Sequence, residues 1–370
     1  MHRCDVLIVG AGPAGSTCAS RLKAAGLDCL VLDRKTFPRD KTCAGWVTPP
    51  VFELLRIDAD EYADGRTLQP ITGFRTGLIG SAGIETHYGR VVSYGIRRRE
   101  FDHFLLERAA VPARLGEPLT SIERIDGCWR INGDIEAHML IGAGGHFCPV
   151  ARHVGSRRGR ELSVVAAQEI EFEIPVEQID RVSVAPQVPE LFFCGDLKGY
   201  GWCFRKHNFL NIGLGRVDSA GLSEHVTRFC DFLRTTGKVN CDIPQRFHGH
   251  AYALYEHERP NVVDDGLLLI GDAAGLAYAQ SGEGIRPAVE SAVLAADVVA
   301  QAEGRYSADQ LASYAERLID RFGRPRSRAD WLPAAWLHAA ASKLMATQWF
   351  SRRFVLDRWF LHAGEPALSP

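Results

Sequence analysis

The chain has 370 residues, 46% hydrophobic and 24% charged, with a formal net charge of −2. That length can bury large cores and hold two joined domains, and the near-neutral charge provides no general attraction for nucleic acid. Ten cysteines are scattered without a C-x-x-C pair, which indicates a reducing cytoplasm rather than a disulfide framework or a zinc site. No apolar run reaches about 18 residues and a strand follows Met1-His-Arg-Cys at once, so we expect neither a spanning helix nor a signal peptide.

The first predicted unit is a strand, a helix and a second strand. Residues 6–9 form a short apolar run, residues 16–25 are helical in pattern, and residues 29–32 form a second apolar run that ends at Asp33. An acid at the end of the second strand of such a unit accepts hydrogen bonds from a ribose.

Three glycines between the first strand and the helix give the pattern G-x-G-x-x-G. Gly10 makes the tight turn, Gly12 lets the backbone approach a pyrophosphate, and Gly15 lets the helix pack on the strand. The helix N-terminus then faces the phosphates with its unpaired N–H groups. The spacing therefore predicts a dinucleotide site.

The middle of the chain is rich in predicted strands. Hairpin-like strands are predicted within 73–96, and further strands at 119–125, 129–131, 136–141, 164–173, 190–194, 199–204 and 209–216. A helix at 222–236 and a return strand and loop at 250–260 follow. Turns at Asp126-Gly127 and Asn132-Gly133 favour hairpins. The strands between 164 and 216 predict an antiparallel wall.

A second motif follows the strand predicted at residues 267–270. Gly271-Asp272 ends that strand, and Gly282-Glu283-Gly284-Ile285 leads into a helix at 288–302. Asp272 suits the ribityl hydroxyls of a flavin, and the N–H groups of Gly284 and Ile285 suit its pyrimidine edge. An ordinary turn with Asp272 as N-cap is the alternative. Together the two motifs favour FAD.

The two motifs resemble the para-hydroxybenzoate-hydroxylase class of FAD proteins and, within it, the geranylgeranyl reductase group. Four stretches add to the second resemblance. Residues 38–45 resemble P-x-x-K-x-C-G-G, 98–105 resemble R-x-x-F-D-x-x-L, 141–145 stand where the group shows G-A-D-G, and 200–206 resemble Y-x-W-x-F-P-K. The chain departs from these patterns at Ala44, at Gly144 in place of an acid, and at Arg205 in place of a proline.

The resemblance implies an α/β fold with a Rossmann-like FAD-binding domain, an inserted antiparallel β-sheet substrate domain and C-terminal helices. The implied domains are FAD-binding at 1–70, 97–160 and 261–305, substrate-binding at 71–96 and 161–260, and helical at 306–370. The implied cofactor is non-covalent FAD. A second dinucleotide motif is not visible, so the reductant of the flavin is either NAD(P)H that binds transiently or another electron carrier. The implied FAD contacts are Gly10, Gly12, Pro13, Ala14, Gly15, Asp33, Arg34, Ala44, Gly45, Arg98, Ile122, Gly271, Asp272, Gly282, Gly284 and Ile285.

Cys43 has two interpretations. It is either a small buried hydrophobe, or a thiol at the flavin that donates a proton to a carbon whose neighbour takes hydride. Tyr200, Trp202 and Phe204 are spaced two apart, so on a strand they share one face and form either an aromatic substrate wall or part of a core. We expect Lys206 and His207 to be solvated.

The C-terminal stretch 331–360 contains four of the seven tryptophans, together with basic residues. It predicts either helices that cap the substrate pocket or an interfacial surface that contacts anionic lipid, and the two are compatible. His248 and His250 alternate on one strand, but a third ligand is missing nearby, so we predict no metal.

These patterns predict an FAD-dependent oxidoreductase that reduces C=C bonds of an apolar, prenyl-like small molecule. A flavin monooxygenase or halogenase of the same fold is one alternative, although the halogenase segment W-x-W-x-I-P is missing. A non-catalytic flavoprotein that binds a lipid-like ligand or transfers electrons is the other.

Overall fold

The computed structural model describes residues 1–155, 164–255, 261–323, 343–345 and 347–368, and in them the strands form three sheets. The first sheet contains the predicted βαβ unit. β1 (His2–Val9) pairs in parallel with β2 (Cys29–Asp33), and α1 (Pro13–Ala24) connects them. Helix α1 begins three residues earlier than predicted because Pro13 takes the first helical position, where its missing N–H is not needed.

Further strands extend this sheet on both sides of β1 and β2. They are β8 (Ala113–Leu115), β9 (Ile122–Ile125), β10 (Cys128–Ile131), β11 (Ile135–Gly142), β17 (Val263–Asp264) and β18 (Leu267–Leu269). β11 lies between β1 and β18 and is parallel to both. The carboxyl ends of β1, β2 and β18 therefore meet at one edge, which is where ligands bind in open parallel sheets.

The predicted hairpin turns of the β9–β10–β11 meander are confirmed. Asp126-Gly127 and Asn132-Gly133 have positive φ at both positions, as the tight two-residue hairpin turn requires. The strand predicted from residue 119 begins only at Ile122, because the Asn132 side-chain oxygen accepts the backbone N–H groups of Thr120 (2.8 Å) and Ser121 (3.3 Å). A side chain thus replaces a neighbouring strand at those two positions.

The second sheet has seven strands. In spatial order they are β16 (His248–Ala253), β12 (Val164–Glu173), β15 (Phe209–Arg216), β14 (Gly199–Lys206), β13 (Glu190–Phe193), β5 (Gly73–Leu78) and β6 (Ile84–His87). The wall formed by β12, β15, β14 and β13 is antiparallel, as predicted, whereas β13 pairs with β5 in parallel. A third, small sheet consists of β3 (Trp46–Val47), β7 (Ser93–Ile96) and β4 (Leu68–Ile71).

Helices cover the sheets. They are α2 (Pro49–Leu55), α3 (Ala59–Ala63), α4 (Arg98–Ala109), α5 (Pro149–His153), α6 (Leu222–Thr235), α7 (Ile285–Gln301), α8 (Ala308–Leu311), α9 (Ser313–Phe322) and α10 (Gln348–Phe350), with 3₁₀ turns at Val176–Arg181 and Gly271–Ala274. Helix α7 is buried along nearly its whole length between α1, α2 and α9. The predicted helix at 222–236 is confirmed, and the one predicted at 288–302 starts earlier, at Ile285.

A π-helix (Ser351–Phe360) follows α10 and packs on the second sheet. Phe360 stacks on Trp46 with ring centroids 5.4 Å apart and meets the edge of Tyr200 at 5.2 Å. Of the C-terminal tryptophans, Trp331 and Trp336 lie outside the described residues. The domain division inferred from the sequence stays a prediction.

Candidate active site

The glycines of the first motif divide into two that pack the fold and one that faces open space. A Cβ at Gly10, whose φ is +116°, would overlap the Ala143 carbonyl, and a Cβ at Gly15 would overlap the Gly10 carbonyl oxygen. A Cβ at Gly12 would meet only Arg39, at 3.5 Å from Nη2. Gly12 is also the N-cap of α1 and has no side chain to satisfy the first N–H groups of that helix. Those N–H groups are therefore available to an anion.

Asp33 braces the glycine loop from the end of β2. Its Oδ2 accepts the Ala11 N–H at 2.7 Å, and its Oδ1 accepts the Lys35 N–H at 2.8 Å. Each oxygen keeps a second lone pair that can accept from a ribose hydroxyl. The neighbouring Arg34 is exposed.

Arg39 is a further candidate for binding the cofactor phosphates, and the sequence analysis did not single it out. Its Nη2 lies 3.1 Å from the fully buried carboxylate of Asp102, and its guanidinium lies over the Phe37 ring. Its Nη1 is buried and has no hydrogen-bond partner among the described residues. A fixed guanidinium beside the open position at Gly12 fits a pyrophosphate, since phosphate oxygens are what such a donor binds. The only sequence signal was a basic residue soon after β2.

The second motif lies at the start of α7. Gly271 donates its N–H to Ser291 Oγ at 3.0 Å, and a Cβ at Gly284 would lie 2.9 Å from Asp272 Oδ1. Asp272 Oδ1 thus lies close to Gly284, the residue before the first turn of α7, and the flavin contacts predicted for these residues stay a prediction. Gly282 packs against the Tyr252 hydroxyl on β16. Ile122, by contrast, lies on β9, half-buried against the core of the first sheet.

Cys43 lies in the connection between β2 and β3, and residues from three other elements hold it. Its backbone N–H donates to Glu169 Oε2 at 3.0 Å, and its carbonyl accepts from Asn211 Nδ2 at 3.0 Å. Its Sγ accepts the Gly45 N–H at 3.3 Å and also faces the Arg98 guanidinium. Ala44 packs beside the aromatic cluster. The half-buried thiol therefore has a defined position.

Two cations lie close to Cys43. Arg98 makes a two-pronged pair with Asp102, at 2.7 Å from Nε and 2.8 Å from Nη2. Burial disfavours its charge, but the Asp102 carboxylate more than compensates, so the pKa of Arg98 is raised. Burial and the Arg98 charge lower the pKa of Lys41 to about 8.

His250 contacts Lys41. The distance from Lys41 Nζ to His250 Nε2 is 2.6 Å, and burial together with Lys41 and Arg98 lowers the pKa of His250 to about 3. A neutral imidazole can accept a hydrogen bond from the ammonium group. The pair belongs to an electropositive region that also faces Asp272 and Cys43.

Tyr200, Trp202 and Phe204 share one face of β14, as predicted. They lie in one cluster with Trp46, Phe193 and Phe360, and the ring centroids of Tyr200 and Trp202 are 6.0 Å apart. Phe204 is fully buried and Trp202 is nearly so, whereas Tyr200 is half-buried and donates its hydroxyl to the Ser281 carbonyl at 2.5 Å. The π-helix covers this face, and the substrate role of the three rings stays a prediction.

Lys206 is buried, so the prediction that it is solvated was wrong. It is 1% exposed and its Nζ lies 2.7 Å from Glu171 Oε1. The reason lies in two glycines, Gly45 and Gly95, which leave room for its side chain. The neighbouring His207 is exposed, as predicted.

Two carboxylates occupy the polar region behind Cys43. Glu169 is 5% exposed, and burial together with the Glu171 charge raises its pKa to about 8. Burial raises the pKa of Glu171 too, but the Lys206 ammonium prevails and lowers it below its ordinary value. The two acids therefore hold different protonation states near neutral pH. Neither acid was singled out from the sequence.

Two further positions bear on the resemblance. A Cβ at the exposed Gly144 would lie 3.1 Å from Cys148 Cα and 3.2 Å from its Sγ, so a side chain there requires Cys148 to shift by a small distance. Glu283 has both carboxylate oxygens buried without a hydrogen-bond partner among the described residues, and burial raises its pKa to about 8. Groups of three or more His, Cys, Asp or Glu that could hold a metal do not occur in the described ranges.

Comparisons with known proteins agree on the class. Residues 3–76 match the FAD binding domain family. Digeranylgeranylglycerophospholipid reductase 2 of Methanosphaera stadtmanae is 27% identical over 347 residues, which cover 88% of this chain and 85% of the relative. Menaquinone reductase of Mycobacterium tuberculosis is 28% identical over 347 residues, which cover 86% of this chain and 81% of the relative.

A solved structure has the same fold. The geranylgeranyl bacteriochlorophyll reductase-like protein of Thermoplasma acidophilum superposes with a TM-score of 0.76 at 21% identity, over 94% of this chain and 88% of that protein. The predicted α/β fold class, the FAD cofactor and the resemblance to the geranylgeranyl reductases are confirmed.

The two kinds of glycine give a matched test. Gly12→Val should fold and lose FAD, because the branched side chain enters the space left for the pyrophosphate and touches only Arg39. Gly15→Val should fail to fold, because its side chain would overlap backbone. Circular dichroism and the flavin released on denaturation measure the two effects. A Gly12→Val protein that stays yellow would contradict this placement of the cofactor.

Glu169 predicts a pH dependence of stability. Its folded pKa of about 8 lies above the ordinary 4.5, so its contribution is complete below pH 4.5 and is lost as the pH rises toward 8. Glu169→Gln removes this loss. Between about pH 6 and about pH 9, unfolding should show the variant gaining on the order of 2 kcal/mol relative to wild type. Glu173→Gln, an exposed acid on the same strand, is the control and should show no such trend.

Proposed function

We propose that this FAD-dependent oxidoreductase, which resembles the geranylgeranyl reductases, reduces C=C bonds of an apolar, prenyl-like small molecule. The observation that carries the proposal is the contact between the Cys43 segment and the aromatic face of β14. Trp202 Nε1 donates to Asn211 Oδ1 at 2.7 Å, and the same Asn211 binds the Cys43 carbonyl. The Cys43 backbone therefore shares a hydrogen-bond partner with the Trp202 indole, and the next residue, Ala44, packs on the aromatic cluster, while the Cys43 side chain packs against the cluster that contains Val47 and Phe52.

The substrate class is supported by chemistry and by the relatives. The cluster of Trp46, Phe193, Tyr200, Trp202 and Phe360 presents aromatic rings, which suit contact with an apolar chain. The names of the two relatives describe reductases of digeranylgeranylglycerophospholipid and of menaquinone. We propose a substrate of that prenyl-bearing kind for this chain.

In the proposed mechanism the glycine loop, Arg39 and Asp272 would hold FAD, which in its reduced form would supply a hydride. Cys43 would give its proton to one carbon of the C=C bond, next to the carbon that would receive the hydride. The π electron pair forms the second C–H bond, so the product is the saturated carbon pair. The Arg98 cation stabilises the thiolate that remains until solvent returns a proton. The electron donor for the flavin would be NAD(P)H or another two-electron carrier.

Two other functions compete with this proposal. A monooxygenase or halogenase of the same fold would consume oxygen, and a non-catalytic flavoprotein would bind a lipid or pass electrons without changing an alkene. Anaerobic turnover of candidate prenyl compounds, followed by product mass, separates them. A mass increase of two hydrogens supports the reductase. Added oxygen or halogen in aerobic assays contradicts it, and so does the absence of turnover with a ligand retained from lipid extract.

We further propose a cytoplasmic protein that touches a membrane through its C-terminal segment. Trp349 is 66% exposed and Leu344 is 43% exposed, and Arg352 and Arg353 lie exposed beside them. Exposed apolar rings next to cations suit the interface of an anionic bilayer. Helices long and apolar enough to cross a membrane are absent from the described residues.

Vesicle binding tests the membrane contact. Trp349→Ala should weaken binding to vesicles that contain anionic phospholipid by roughly tenfold, because it removes the most exposed ring in the described part of the chain. Val176→Ala, at a position 83% exposed on a different element, is the matched control and should bind like wild type. Equal binding of all three proteins in a sedimentation assay contradicts the contact.

Replacement of the two central residues should affect different kinetic constants. Cys43→Ser keeps the size but raises the pKa of the proton donor, so kcat should fall by roughly 10²-fold or more while FAD stays bound. Trp202→Ala should mainly raise KM, by about tenfold, because it removes an aromatic contact. Steady-state kinetics on a confirmed substrate measure both.

Cys128→Ser is the control for the thiol. Cys128 is the other half-buried cysteine in the described residues and lies on the distant strand β10. Full activity of both Cys43→Ser and Trp202→Ala would mean that the active site lies elsewhere. Loss of flavin from Cys43→Ser would make Cys43 a packing residue.

A further inference from the structure

We propose that Asn211 is a positioning residue that fixes the Cys43 segment against Trp202. Its kinetic consequence rests on the reductase function proposed above, whereas its effect on the Cys43 thiol does not. Asn211 lies on β15, is 1% exposed and belongs to neither of the segments it joins.

Both ends of the Asn211 amide are used. Oδ1 accepts the Trp202 indole N–H at 2.7 Å, and Nδ2 donates to the Cys43 carbonyl at 3.0 Å. An indole nitrogen only donates and a carbonyl only accepts, so these partners determine which end of the amide faces which segment. An amide is suited to this bridge because it presents a donor and an acceptor on one short planar group.

The backbone of Cys43 is held on its other side as well. Glu169 Oε2 accepts the Cys43 N–H at 3.0 Å, and Asn211 Nδ2 also lies 3.4 Å from Glu169 Oε1 and 3.4 Å from Glu171 Oε1. Cys43 therefore has its N–H and its carbonyl bound by side chains from the adjacent strands β12 and β15. Because Cys43 lies outside helix and strand, these side chains satisfy its backbone N–H and carbonyl, as neighbouring strands do within a β-sheet.

The hydrogen bonds of Asn211 determine the position of the Cys43 connection as well as its burial. An apolar contact between β15 and the Cys43 connection would fill the same space without the buried Glu169 and the half-buried Glu171. The polar bridge instead gives the connection a single register against the Trp202 ring, and a directed hydrogen bond defines an angle as well as a distance. The thiol and the aromatic face consequently keep one relative placement while a substrate enters.

The test measures how fast Cys43 is alkylated in the FAD-loaded protein. Iodoacetamide is the probe, and mass spectrometry of peptides follows Cys43 and Cys128 in the same sample. Asn211→Leu is close in volume and removes both hydrogen bonds. We expect Cys43 to react roughly fivefold faster, as the loss of a hydrogen bond that closes a local segment implies, while Cys128 keeps its rate.

Two more variants separate the contacts. Asn211→Ser is smaller and too short to reach both partners, so it should repeat the effect if Asn211→Leu fails to fold. Trp202→Phe keeps an aromatic ring and removes only the indole donor, so its Cys43 rate should stay within about twofold of wild type, because the contact to the Cys43 carbonyl remains.

Steady-state kinetics on a substrate that the protein reduces give the second readout. Asn211→Leu should lower kcat by about tenfold and leave KM within about twofold, because misplacement of the proton donor affects the chemical step more than binding. An unchanged Cys43 alkylation rate in both Asn211 variants overturns the proposal. So does an equal acceleration of Cys128, which would indicate general loosening. If wild type reduces no alkene, the proposed function fails, and the alkylation rates still decide the role of Asn211.

Discussion

The buried carboxylate of Asp102 holds the two ends of the site together. It is fully buried and pairs with Arg98 on one side and with Arg39 on the other. A buried charge is tolerated only when it is paired, so the two guanidiniums and the acid stabilise one another. Arg39 thereby faces the glycine loop and Arg98 faces Cys43, and one residue of α4 orients both the proposed phosphate-binding end and the proposed reactive end of the site.

The charged and polar side chains behind Cys43 are also paired with one another. Glu169, Glu171, Lys206 and Asn211 come from three strands of the second sheet and form one buried polar group beneath an aromatic face. Such a network is costly unless its members are satisfied, and here each polar group finds at least one partner. The network directs its contacts at a connection of the chain, which is where a directed contact has most effect on geometry.

The aromatic face is closed by the end of the chain. Phe360 of the π-helix stacks on Trp46 and meets Tyr200, while Trp349 at the preceding turn points to solvent. One segment thus contacts the proposed substrate wall with one side and exposes apolar surface with the other. A π-helix is an uncommon conformation that occurs often at functional sites, which agrees with a covering role here.

The sequence by itself determined what depends on local spacing. Gly10 predicted the tight turn after β1, Gly12 the open position for a pyrophosphate, and Gly15 the packing of α1 on β1. The dipeptides at 126–127 and 132–133 predicted two hairpin turns. Each of these patterns acts over a few residues. The tertiary structure alone decided the burial of Lys206 and the roles of Arg39, Glu169 and Asn211. Glu169 and Asn211 lie 126 and 168 residues from the Cys43 backbone they bind. Contacts at that separation are set by which strands become neighbours in the sheet, and periodicity or a short motif carries no information about them.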